Sequence, residues 1–152
     1  MGDELRERWG RQPVWVRCAL AVYVIGFLVG TRTHVVDVAR DGVHAYAMFP
    51  QLPLRVFFVG LVVLDPLVVV LVALVRRDGL RLAAAVMLLD MCGNWWGNWH
   101  WSRDDPSKLL VLLPLTLFGV FVLASVVPLH RSLGTLRPPS VRRAGGGARR
   151  SR

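Results

Sequence analysis

Four stretches of this chain stay apolar for close to 20 residues, which is what crossing roughly 30 Å of hydrocarbon demands of a helix rising about 1.5 Å per residue. They cover about 14–31, 54–75, 80–101 and 109–128 of a 152-residue chain. Each is apolar on all sides, which argues for helices and against the shorter, alternating strands of a membrane barrel. The chain therefore reads as an all-α integral membrane protein, with a four-transmembrane-helix bundle over 14–131. A short segment, 1–13, precedes the bundle. The segment 132–152 holds Pro138-Pro139, Gly145-Gly146-Gly147 and five arginines after Arg137, and is expected to be a disordered basic tail.

The charges say which way the bundle points. Apolar residues make up 54% of the chain, yet 19 Lys+Arg stand against 10 Asp+Glu. Arg6, Arg8, Arg11 and Arg17 open the chain, Arg76, Arg77 and Arg81 lie in the second connection, and seven arginines follow from Arg131 to Arg152. By the positive-inside rule both termini are cytoplasmic. The formal charge of +9 is thus an orientation signal; no nucleic-acid partner is expected, and the tail is expected to touch anionic lipid. A cleaved signal peptide is not expected, because the first block is longer than a typical h-region and Gly30-Thr31-Arg32 lacks a small-x-small site. Cys18 and Cys92 lie inside apolar blocks, so a disulfide scaffold is excluded. Lys108 is the single lysine, a bias of GC-rich coding, and the expected location is a bacterial plasma membrane.

Polar groups inside the blocks need a reason, since an Asp at the centre of a membrane helix costs about 2.5–3.5 kcal/mol on insertion scales. Asp65 on the second block and Asp90 on the third each lie about 16 Å from the outer boundary, counted at the helical rise. The connection around Arg76 is tight, so the two helices are antiparallel neighbours and the carboxyls are expected to be level, facing one hollow and sharing a proton. Asp90, Asn94 and Asn98 recur every fourth residue, a polar stripe along one face of the third helix. Pro66 cannot donate to the Val62 carbonyl, so the second helix is expected to kink beside Asp65. Gly26 with Gly30 and Gly93 with Gly97 are small-xxx-small pairs; both occupy outer halves, so the first and third helices are expected to touch there. Trp95, Trp96, Trp99 and Trp101 cluster at the outer end of the third helix as an aromatic belt, with Trp95, Trp99 and Tyr46 placed to close a pocket mouth.

In the long outer connection His34, Asp37, Asp41 and His44 share one helical face. They could in principle bind zinc, but Gly42 interrupts the helix and an interfacial segment explains the same face, so no metal is expected. His34 and Asp37, three residues apart on the continuation of the first helix, form the stronger pair. No cofactor is expected either: no phosphate loop, paired cysteines at zinc spacing, haem motif or nucleophile elbow occurs.

The order of these features resembles the EXPERA group, which includes emopamil-binding sterol isomerases and the sigma-2 receptor. The residues that carry the resemblance are His34 and Asp37 closing the first helix, Asp65-Pro66 within the second, Asn94 on an amide-rich third helix, and Pro114 in the fourth. It implies a polar intramembrane pocket for sterol-like or cationic lipophilic ligands.

The expected function is binding of a small lipophilic or cationic amphiphilic molecule in an acid and amide pocket built from Asp65, Asp90, Asn94, Asn98, His34 and Asp37. One alternative is an assembly subunit whose polar stripe meets a partner membrane protein or a second copy. Another is an isomerase using the paired carboxyls as proton donor and acceptor, although no catalytic residue is assigned. A third is a proton or ion path through Asp65 and Asp90. The acids could also form a clamp, bonded to each other and to Asn94.

Overall fold

The computed structural model of the chain describes residues 2–104, 107 and 109–134. Five α-helices follow in order: α1 (Gly2–Gly10), α2 (Val14–Asp41), α3 (Leu52–Ala73), α4 (Arg77–Asp104) and α5 (Leu109–Ser132), with a short 3₁₀ turn over Gly42–His44. No strand occurs among the described residues. The region from Val14 to His44, α3 and α5 are long and apolar enough to cross a membrane. α4 is equally long, but Asp90, the two asparagines and its terminal charges make it less apolar than the other three.

α2 packs along α3, α3 along α4 and α4 along α5, while α5 meets α2 over a shorter line. Each helix offers a narrow inward stripe. On α2 it is Val16, Leu20, Tyr23 and Phe27; on α3 it is Phe58, Leu61, Asp65, Val68 and Val72. Asp65 therefore occupies a core position in a row of apolar side chains, at helical spacing. Val22, Ile25, Val29, Val56, Val63, Val70, Val120 and Val127 point outward instead and are exposed. Helices apolar inside and out suit a surrounding of acyl chains.

The two ends of this assembly differ. At one end Trp9 Nε1 donates to the Ala73 carbonyl at 2.8 Å, docking α1 on the end of α3, and Gly134 lies against Arg77. The α3–α4 turn here is a helix stop with paired carbonyl bonds: Arg76 N–H donates to Leu71 at 3.0 Å and Val75 N–H to Val72 at 2.9 Å. That geometry needs a left-handed residue, and Val75 supplies it at φ 56°. Gly79 lets α4 start against α3, since a Cβ there would overlap the Leu71 and Val72 backbone. At the other end Gly42, at φ 60°, stops α2. The chain then returns to α3 with Tyr46 and Phe49 stacked on Phe58 at ring separations of 5.3 and 5.1 Å.

Two expectations change, the extent of the first helix and the packing of the first against the third. The first helix runs on to Asp41, so the non-helical connection is shorter than the sequence blocks imply. α3 runs as one helix through Pro66 to Ala73, with the Val62 carbonyl short of one donor, so the proline expected to bend it beside Asp65 does not end it. The first and third blocks, α2 and α4, stand across the assembly rather than side by side. Gly26 faces Phe118 on α5 and Gly30 faces Asp65 on α3, while Gly93 faces Leu54 and Phe58 and Gly97 faces Phe49. Small residues mark where a neighbour comes close without naming it; here aromatic rings fill the notches at Gly26 and Gly97, Leu54 and Phe58 that at Gly93, and the Asp65 carboxyl that at Gly30. The tail expected over 132–152 lies outside the described residues from 135 onward.

Candidate functional site

Asp65 on α3 and Asp90 on α4 line one cavity of about 520 Å³, together with Thr33 and His34 of α2 and Asn94 of α4. The remaining wall is apolar, from Phe27 on α2 and Met87 on α4 to Pro114, Leu115 and Phe118 on α5. Asp65 is only 4% exposed. Gly30 makes room for it: a Cβ at that position would sit 2.6 Å from Asp65 Oδ2. Asn94 Nδ2 donates to Asp90 twice, to the backbone carbonyl at 3.0 Å and to Oδ1 at 2.8 Å. No hydrogen bond joins Asp65 to Asp90 among the described residues; His34 Nε2 lies 3.9 Å from Asp65 Oδ2.

A second cavity of about 470 Å³ lies beside the first and shares Thr33, His34, Asn94 and Val111 with it. Asp37, Tyr46 and Asn98 add its polar lining. The stripe on α4 thus serves both spaces, Asp90 and Asn94 the first, Asn94 and Asn98 the second. Asn98 Nδ2 also donates to the Asn94 carbonyl at 2.9 Å.

Where the cavities meet, His34 is held from both sides. Its Nδ1 is 2.7 Å from the Tyr46 hydroxyl, and that hydroxyl donates to Asp37 Oδ2 at 3.2 Å. Burial, with the Asp37 carboxylate beside it, pushes the Tyr46 phenol above its usual range, so the hydroxyl keeps its proton. The His34 and Asp37 pairing expected from their spacing is therefore made through Tyr46. Spacing alone does not bring Tyr46 there, because it lies beyond the helix stop at Gly42, where helical periodicity no longer applies. Tyr46 was expected at the mouth, whereas Phe118 and Thr33 were not expected at the site: nothing in an unbroken apolar block says which ring will close a notch on another helix.

The other candidates lie elsewhere. Trp95 lines neither cavity; its Nε1 donates to Thr116 Oγ1 on α5 at 3.0 Å. Trp99 is half exposed and lines neither. Of the three side chains expected at a mouth, Tyr46 alone lines one of the two, and it does so from a buried position. Asp41 and His44 are exposed while His34 is turned inward, and no three His, Cys, Asp or Glu side chains converge on a metal position among the described residues. Chemically, two carboxyls and an imidazole around an apolar-walled space can hold a cation or exchange a proton.

Compared with protein families, curated proteins and solved structures, the chain matches none.

Proposed function

We propose that this is a multi-pass plasma-membrane protein which crosses the bilayer with α2, α3, α4 and α5, keeps both termini in the cytoplasm, and binds a small lipophilic or cationic amphiphilic molecule. The ligand's apolar body lies against Phe27, Leu115 and Phe118, and its polar end pairs with Asp65 and Asp90. One observation carries the reading: the two acids open onto a single cavity of about 520 Å³ instead of bonding to one another. A clamp would have closed that space, and an apolar-walled hollow with few convergent polar groups is the usual form of a small-molecule site.

Support for α4 as a fourth crossing comes from its length of 28 residues and from its packing between α3 and α5, with Asp90 and Asn94 turned to the interior. The arginines near α1, the α3–α4 turn and the end of α5 gather at the end where Trp9 meets Ala73, which favours that end as cytoplasmic. The side chains behind the EXPERA resemblance, among them His34, Asp65, Asn94 and Pro114, share the cavity.

The test is a thermal-stability screen of the detergent-purified protein against lipophilic amines and sterols. A binder raises the midpoint of the wild type and not of Asp65→Asn or Asp90→Asn. Absence of any shift across the panel removes the proposal.

A further inference from the structure

Counting hydrogen-bond donors around the 520 Å³ cavity narrows its ligand further, on the reading of that cavity as a binding site. Five polar side chains line it: Thr33, His34, Asp65, Asp90 and Asn94. Thr33 spends its hydroxyl proton on the Val29 carbonyl at 3.0 Å. Asn94 directs its amide group at the Asp90 carbonyl and carboxyl, at 3.0 and 2.8 Å, which turns its own oxygen outward from that pair. Tyr46 has one proton and gives it to Asp37, so its oxygen must accept from His34, which fixes the imidazole proton on Nδ1. Nε2 of the neutral ring is then a bare acceptor, 3.9 Å from Asp65 Oδ2. Two acceptors at that separation can be bridged by one nitrogen at an ordinary distance of about 2.9 Å from each.

We infer that Tyr46, by holding the His34 proton on Nδ1, makes the cavity a surface of acceptors once Asp65 and Asp90 are carboxylates, so that its ligand is a primary or secondary ammonium with an apolar body, whose charge keeps them ionised. A quaternary ammonium brings charge but no N–H to share between His34 and Asp65. A neutral alcohol brings a single proton and no charge. Tyr46 acts here as a positioning residue: its ring stacks on Phe58, and its hydroxyl sets which face of His34 receives a donor.

The experiment measures dissociation constants of the full-length, detergent-purified protein for 4-phenylbutylamine, its N-methyl, N,N-dimethyl and N,N,N-trimethyl forms, and 4-phenylbutanol. The primary and secondary amines bind tightest, with the trimethyl form and the alcohol at least about tenfold weaker, as expected for loss of a charged hydrogen bond. In Tyr46→Phe the imidazole is free to carry its proton on Nε2, and the preference for primary over quaternary amine shrinks to roughly threefold or less. Asp37→Leu does the same from the other side, because the Tyr46 proton then turns to Nδ1, and it carries the test if Tyr46→Phe does not fold. Equal affinity across the amines, tighter binding of the alcohol, or an unchanged preference in the folded variants overturns the inference while leaving the site standing. Binding of none of the five overturns the inference as well, while the proposed function is decided separately by the sterols of the thermal-stability panel.

Discussion

Replacing Gly30 by alanine places one methyl group against the buried acid at the centre of the proposed site. The new β-carbon would stand 2.6 Å from Asp65 Oδ2 and 3.6 Å from its Cγ. Nonbonded atoms attract only from about 3.5 Å outward, so the carboxyl must move by most of an ångström, roughly. Overpacking of this kind costs about 1–3 kcal/mol, and the lower half applies because Asp65 borders a cavity into which it can turn. Alanine returns about 0.5–1 kcal/mol as a better helix former, which leaves a net loss near 1 kcal/mol. Gly60 on α3 is the control, since a Cβ there meets nothing within 4 Å. Gly60→Ala should be neutral or gain that same about 0.5–1 kcal/mol. The two variants, unfolded side by side in detergent, should differ by about 1–2 kcal/mol. Gly30→Ala should also bind the amine more weakly, by roughly tenfold if one charged hydrogen bond is displaced. Equal midpoints for the two variants, with ligand affinity intact, would show that Gly30 does not seat Asp65 and would refute this account of the site.

Val75→Gly should stabilise the protein by about 1 kcal/mol, because it removes a left-handed penalty of about 1–2 kcal/mol and pays part of it back as glycine entropy; the midpoint of detergent unfolding reads it. Tyr23→Phe removes the hydroxyl that donates to the Val122 carbonyl at 2.8 Å and lies 3.0 Å from Ser125 Oγ, so it should cost about 1 kcal/mol without changing ligand preference. Orientation is checked on a background lacking Cys18 and Cys92. A cysteine at Val43 should react with an impermeant maleimide in intact cells, and one at Asp78 only after permeabilisation. The reverse pattern would place the termini outside.

Block lengths made three apolar helices legible, and the recurrence of Asp90, Asn94 and Asn98 at every fourth residue made the polar face of α4 legible as well. Both signals are local: one helix, read alone, contains them. The level acids were a longer reach, resting on one tight turn, and Asp65 and Asp90 do line one cavity. What stayed hidden depends on meetings between elements. Tyr46 reaches His34 from a connection without periodicity, and Phe118 fills the notch at Gly26 where another helix was expected. The docking of α1 through Trp9 was equally hidden, because a nine-residue helix of mixed charge has no pattern that stands out from a loop.

The burial of two acids also bears on why the cavity is there. Each carboxyl at the middle of a membrane helix costs about 2.5–3.5 kcal/mol to insert, whereas an interhelical hydrogen bond returns about 0.6 kcal/mol on average. Asp90 has partners on its own helix, in Asn94, but Asp65 has no hydrogen bond at all among the described residues and sees His34 only at 3.9 Å. A sequence shaped for stability alone would place leucine at position 65, in register with Leu61 and Val68, and would fill the space beside it. Asp65→Leu should therefore raise the unfolding midpoint while abolishing the amine response. If Asp65→Leu is instead strongly destabilising, the acid is part of the packing and the clamp becomes the better account of the same residues.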